Sequence, residues 1–255
     1  MPIATLTTDF GTADPYAAML KGALLSAHPG LQLVDITHNV CPYDIVQAAY
    51  ILKNTWQRFP AGTVHLISVG HFSKGVCPLI VFQKEDHYFT GPDNGLFSLL
   101  FDEMPASVVQ LPQPGPGTLD FLDVMAKAAA ALTEGAALET LGEPLEAIDQ
   151  RLQLQPVITA SQIRGGVIHV DQYENVVINI SRELFEQVAQ GRKFALYFKR
   201  HDPITQVSTH YGDVPVGEVL CLFNAAGYLE IAINMGKAAG LLGLRRDDVV
   251  QVDFF

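Results

Sequence analysis

The chain has 255 residues, 49% of them hydrophobic, and a formal net charge of -11. That length and apolar content suffice for a sizeable core, in one large domain or two smaller ones, and two are expected. No Lys/Arg cluster offsets the acidic balance, which argues against nucleic acid or an anionic membrane as partner and favours a small-molecule substrate. Cys41, Cys77 and Cys221 are few, odd in number and far apart, so neither a disulfide framework nor a zinc site is expected. The N-terminus lacks a basic and apolar leader, and no run of about 18 apolar residues occurs, so a soluble, cytoplasmic protein is expected.

Ile3 to Leu6 reads as a short buried strand, and Thr7 to Tyr16 as an acidic, glycine-broken turn into a helix. Asp14 before Pro15 predicts an N-cap followed by a first helical residue that needs no N–H. Asp9 stands at the carboxyl end of the strand, where open α/β sheets bind small molecules; an Asx turn to loop amides is the alternative. The helix carries Met19, Leu20, Ala23 and Leu24, and Leu31 to Ile36 forms the next strand. A second helix starts near Asp44 and reaches Trp56. Val64 to Val69 and Leu79 to Phe82 are strands around a loop from Gly70 to Pro78, a second site candidate. His87 to Thr90 then meets Gly91-Pro92-Asp93-Asn94-Gly95, a turn suited to unusual backbone angles beside a ligand.

After the stiff segment Pro112 to Gly117, an Ala-rich helix runs from about Phe121 to Leu132. Alternating strand and helix periods predict an α/β N-terminal domain with a mostly parallel sheet over residues 1–154. Beyond Pro156 short strands and turns predict a smaller all-β barrel over residues 155–255. Its expected strands are Gln162 to Val170, Val176 to Ile180, Lys193 to Lys199, Glu218 to Phe223, Tyr228 to Ile233 and Val249 to Phe254.

Gly-x-Gly-x-x-Gly, a Walker lysine, Gly-x-Ser-x-Gly and His-Glu-x-x-His are all absent from the sequence. What remains are acidic and amide residues at loop ends: Asp9, Asp93, Asn94, Asp171, Asn175 and Asn234. Carboxylates suit a ribose diol or an ammonium, and an amide offers donor and acceptor to a heterocycle edge.

Five segments in order resemble the S-adenosylmethionine hydrolase (hydroxide adenosyltransferase) family, which includes fluorinases and chlorinases. They are Thr8-Asp9-Phe10-Gly11-Thr12 with Asp14, Val34 to His38, Pro42-Tyr43-Asp44, Gly91 to Gly95, and Asn224 to Asn234. The resemblance covers nearly the whole chain. It implies an α/β domain followed by a β-barrel, and trimers binding S-adenosylmethionine between domains of neighbouring subunits, with no cofactor and no metal. It also implies substitution at ribose C5′ with release of methionine. Asp9 matches the ribose-binding aspartate and Tyr43 the aromatic of the nucleoside pocket; Asp171 and Asn175 match the pair at the amino-acid end, and Asn234 the reader of the adenine edge. Asp14 and Asn94 lie within matched segments and join this substrate-binding set. A capped core aromatic at Tyr43 and a hairpin turn at Asp171 and Asn175 are the alternatives.

The reacting centre departs from the family. Where hydrolases have an aspartate, an arginine and a histidine, this chain has Gly70, Cys77 and Asp120. A substitute set of Asp120, His71 and Lys74 could orient or deprotonate water, because a general base needs reach before identity. Alternatively the pocket binds S-adenosylmethionine or adenosine without turnover. Cys77 as a thiolate is weighed against a buried apolar cysteine, and His71 against an exposed loop residue. Gly70 is compatible with a halide nucleophile, while Phe121 in place of a halide-binding serine and a missing insertion oppose it.

Overall fold

A computed structural model describes residues 1–71, 77–105, 107–152, 155–199 and 202–255. The chain divides into two compact units, Met1–Leu152 and Gln153–Phe255.

In unit 1 the described elements are β1 (Ile3–Thr8), α1 (Tyr16–Ala27), β2 (Gln32–Thr37), α2 (Ile45–Lys53), β3 (Val64–Ser68), β4 (Leu79–Lys84), β5 (His87–Pro92), α3 (Leu96–Leu100), β6 (Val108–Gln110), α4 (Asp120–Thr133) and β7 (Glu143–Pro144). The strands form one sheet in the order β2-β1-β3-β5-β4-β6-β7. β3 is buried at every position, as a strand covered on both faces requires. Ala4, Leu6, Val64 and Leu66 point towards α1 and α4, while Ile67, Val69, Ile80 and Phe89 point towards α2 and α3. Helix α1 forms because Ala17, Leu20 and Leu24 recur at helical spacing and bury one face.

The sheet is mixed rather than mostly parallel. β2, β1, β3 and β5 run parallel, but β4, β6 and β7 join antiparallel. The reason is the two-residue Glu85-Asp86 connection between β4 and β5, which only an antiparallel hairpin can accommodate. Glu85 accordingly takes a left-handed φ of 53°.

Unit 2 contains β8 (Val157–Thr159), β9 (Gln162–Val170), β10 (Val176–Ser181), α5 (Arg182–Ala189), β11 (Phe194–Tyr197), β12 (Val207–Ser208), β13 (Val219–Phe223), β14 (Tyr228–Ile233), α6 (Ala238–Leu242) and β15 (Val249–Phe254). Its curled sheet follows the order β11-β15-β9-β10-β14-β13-β12, with β8 added to β9. It is not all-β: Ser181 caps α5 by accepting from Leu184 N, and Phe185 and Ala189 bury its apolar stripe. Among the described residues β11 and β12, the two ends of the path, do not pair with each other. The alternation of β14 sends Leu229, Ile231 and Ile233 into the unit's main core and Ala232 into a small cluster on the opposite face. No described helix is long and apolar enough to cross a membrane.

Candidate functional site

Asp9 follows the last residue of β1, at the carboxyl end of the parallel strands. Its Oδ2 accepts from Tyr43 N at 2.9 Å and from Gly70 N at 3.1 Å. Among the described residues Oδ1 accepts no hydrogen bond, so the carboxylate is oriented on one side and open on the other. Asp9 thus organises two loops, as the structural alternative expects, through amides distant in sequence rather than through a local Asx turn. Asp14 does not cap α1, whose cap position is Pro15 with no side-chain bond. Helix α1 starts one residue later than Asp14-Pro15 predicts, which leaves the Asp14 side chain exposed beyond Asp9.

Tyr43 is not a core aromatic. It is 68% exposed and holds a left-handed φ of 67°, a conformation that costs an L-residue roughly 1–2 kcal/mol. Asp44 beside it caps α2 by accepting from Gln47 N at 2.8 Å, and this capping fixes the loop that presents the Tyr43 amide to Asp9.

The second loop leaves β3 through Gly70, which has φ +64° and whose amide points at Asp9. Asn94 lies behind it, 1% exposed; its Nδ2 donates to Val69 O at 2.8 Å and Gly70 O at 3.3 Å, and its Oδ1 accepts from Leu96 N at 3.2 Å. Its amide is thus committed to holding the turn that carries Gly70. His71 is buried, 6% exposed, against the expectation of an exposed loop residue, and its ring stacks on Phe121 at 3.9 Å between centroids. Burial pushes the imidazole down to about 4 although the charge of Asp9 pulls the other way, so His71 is neutral near pH 7. At about 4 the ring is a weak base near pH 7: it can accept a hydrogen bond from water and take a proton only as a new O–C bond makes that water acidic.

Asp120 opens α4 and accepts from Gly117 N at 2.9 Å. A side chain at Gly115 or Gly117 would meet its carboxylate, so the Asp120 side chain packs closely against that segment. It lines a groove of about 610 Å³ with Gln113, Asp123 and Lys127, a group that does not include His71. Cys77 is buried, as an apolar cysteine would be. Lys74 lies outside the described residues.

In unit 2, Asp171 and Asn175 meet. Asp171 Oδ1 accepts from Tyr173 N at 2.9 Å and Asn175 N at 2.8 Å, and Oδ2 from Asn175 Nδ2 at 3.0 Å. They close a turn, with Glu174 at φ 64° in the left-handed region. Tyr173 at the tip is largely exposed. Asn234 donates Nδ2 to Val214 O at 2.7 Å, and the next residue, Met235, is left-handed and exposed. Tyr43, Glu174 and Met235 each take positive φ, as do Glu85, Gln190, Lys199 and Asp247 away from these segments.

Sequence reasoning missed Glu230. It is 3% exposed, bonded to Tyr211 Oη at 2.8 Å and Asn224 Nδ2 at 3.1 Å, and pushed up by burial, with the charge of Asp171 adding to the rise. Register pairs it with Val177, and Val177 with His169, so all three share the sheet face opposite the core, the face that Asn175 also occupies two residues before Val177. The signal was an acid inside the apolar run Tyr228-Leu229-Glu230-Ile231.

Comparison with known proteins shows the family of the chain. Residues 4–142 match the SAM hydroxide adenosyltransferase N-terminal domain, and residues 165–251 match the C-terminal domain of the same family. The chain belongs to this family. Among curated relatives in the family's range, an (R)-S-adenosyl-L-methionine hydrolase of Thermus thermophilus is 31% identical over 96% of this chain and 97% of its own. A fluorinase of Nocardia brasiliensis is 28% identical, over 98% of this chain and 96% of its own. A crystal structure of an uncharacterized conserved protein from Thermotoga maritima superposes with a TM-score of 0.87 at 29% identity, covering 98% of this chain and 99% of that one.

Proposed function

We propose that the protein hydrolyses S-adenosylmethionine to adenosine and L-methionine, by attack of water on ribose C5′. The observation that carries this is the half-open Asp9 carboxylate at the carboxyl end of the parallel strands, held by Tyr43 N and by the amide of Gly70, the residue before the buried His71. Asp9 Oδ1 accepts from a ribose hydroxyl while Tyr43 N and Gly70 N hold Oδ2 in place, and Asp14 adds a second acceptor from the same turn. The exposed Tyr43 ring lies against the nucleoside. Water is deprotonated by His71 as its oxygen bonds C5′, the C5′–S bond breaks, and its electron pair stays on sulfur. The sulfonium leaves as a neutral thioether, so the leaving group needs no acid and the reaction calls for no cofactor. Positioning and a dry nucleophile supply the rate.

Asp171 and Asn175 hold the amino-acid end, and Asn234 reads the adenine edge with the oxygen its amide does not use within unit 2. We take the enzyme to be a cytoplasmic homotrimer in which these two sets of residues come from neighbouring subunits, with the curled sheet of unit 2 in the role of the family's barrel. Asp120 and Lys74 remain as further members of the substitute set, Asp120 acting by holding the Gly115 to Gly117 segment ahead of Phe121.

Incubation of purified protein with S-adenosylmethionine and chromatography of the products tests the reaction. Adenosine and methionine in equal amounts are expected; binding with no adenosine above a buffer blank would leave a non-catalytic binding protein. Adding chloride or fluoride should give no halogenated nucleoside, because the buried Phe121 ring walls the site with carbon. Asp9→Ala and Asp171→Ala, each inactive alone, should recover about one quarter of the wild-type sites when co-expressed in equal amounts, as random mixing in a ring with shared sites dictates. No recovery would place each site within a single chain.

A further inference from the structure

We propose that His38 is a positioning residue for Asp9, gripping the acidic turn on both sides of that carboxylate and anchored in turn by Asp35; this rests on Asp9 holding the ribose. His38 is buried at the end of β2, the strand beside β1. Its Nδ1 lies 2.9 Å from Thr8 Oγ1, one residue before Asp9, and its backbone carbonyl accepts from Gly11 N at 2.7 Å, two residues after. Phe10 N also donates to Thr8 Oγ1, at 3.3 Å, and Val40 N donates to Thr8 O at 3.3 Å. The two strand ends are therefore laced together around Asp9.

The far side of the ring faces a carboxylate. His38 Nε2 lies 3.1 Å from Asp35 Oδ1, and Asp35 Oδ2 receives Lys21 Nζ from α1 at 2.6 Å. Burial works to raise the Asp35 carboxyl, but Lys21 and His38 prevail and hold it below the usual carboxylate range, so an anion faces Nε2. The ring is thus held between the Thr8 hydroxyl on its Nδ1 side and the Asp35 carboxylate on its Nε2 side. Thr8 Oγ1 accepts from Phe10 N and bonds His38 Nδ1, which fixes its rotamer and with it the direction in which the chain delivers Asp9. No part of the chain Lys21–Asp35–His38–Thr8 is asked to reach substrate; its effect passes through Asp9.

A group that only orients a ground-state contact should change binding and transition-state affinity alike. Removing the ring leaves the His38 carbonyl bond to Gly11 intact, so the loss should be partial. His38→Ala should raise KM and the dissociation constant for S-adenosylmethionine about tenfold with kcat within about twofold. His38→Asn, whose amide can replace Nδ1 towards Thr8, should restore most of the affinity, and the half-exposed Asp35→Asn should give a smaller rise in KM. Asp9→Ala runs alongside. If Asp9→Ala binds as wild type does, the ribose reading fails and the His38 proposal with it. If Asp9→Ala loses binding while folded His38→Ala and Asp35→Asn keep wild-type KM, the positioning role alone is overturned. A fall in kcat at unchanged KM, or no rescue by His38→Asn, also overturns it. Should His38→Ala not fold, the His38→Asn and Asp35→Asn pair decides on the same readout.

Discussion

Strand β1 carries two buried threonine–histidine pairs, and their difference separates what maintains the fold from what serves the site. Thr8 with His38 lies at the carboxyl end of the strand, backed by Asp35 and Lys21 and wrapped around Asp9. Thr5 with His65 lies three residues earlier on the opposite sheet face. There Thr5 Oγ1 is 2.7 Å from His65 Nδ1, and His65 Nε2 is 3.1 Å from His87 Nδ1. Trp56 and Phe89 wall this second chain with aromatic edges and faces, and burial, reinforced by His87, pushes His65 down to about 3. The same two residue types make both pairs. A neighbouring carboxylate and a loop to hold turn one towards function; an aromatic box makes the other a polar strut in the core.

The sharpest way to break the comparison is to remove each ring. His65→Ala should destabilise unit 1 by about 3 kcal/mol through a cavity and two stranded polar partners, with kinetics per folded molecule unchanged. His38→Ala should do the converse, moving KM more than the melting midpoint. Equal effects of the two variants on KM would erase the distinction.

Acid should act through the neutral histidines. The folded values of His65 and His71, about 3 and about 4, lie below the unfolded value of 6.5. The unfolded chain therefore binds more protons across that interval. Their stabilisation is complete above pH 6.5 and lost as pH falls through the folded values, at about 1.4 kcal/mol per pH unit for each group. Denaturation by urea at pH 7 and pH 5 checks this; equal midpoints would contradict it. In the same range His71 remains deprotonated, so kcat of the folded enzyme should stay flat from pH 8 to 5 and fall only near 4.

Smaller effects come from the hydroxyls. Thr5→Val should cost about 1–2 kcal/mol of stability by leaving His65 Nδ1 unpaired, whereas Thr8→Val should raise KM by about two- to fivefold. A purely structural Thr8 would show the first signature instead. The smallest expected change is at Glu230→Gln. Its amide can keep one of the two bonds to Tyr211 and Asn224, so KM should rise by about twofold with little change in melting; an unchanged KM would detach Glu230 from the Asp171 turn.

Much of this arrangement was legible in the sequence, because strand ends and turn residues are local signals. Asp9, Tyr43 and Gly70 stand at such ends, and the structure brings all three together. The mixed sheet was less visible: Leu79–Phe82 and His87–Thr90 read as strands, but their direction depended on the short Glu85-Asp86 turn between them. Helix α5 hid in a run of strands, since its eight residues show only two buried positions, Phe185 and Ala189. The burial of His71 was invisible, because it comes from Phe121, fifty residues away, folding over the loop. Glu230 escaped for a related reason: its partner Tyr211 comes from a separate segment, and only strand register puts it on the face shared with His169 and Val177.

The proposed hydrolysis turns on attack of water, activated by the buried His71, at the ribose carbon. A single turnover in ¹⁸O-labelled water, comparing wild type with His71→Ala, tests it most directly. One ¹⁸O is expected in the 5′-hydroxyl of the adenosine released, with a fall in kcat of about 10²–10⁴-fold in His71→Ala at unchanged KM. Adenosine without the label, or wild-type kcat in His71→Ala, would contradict it.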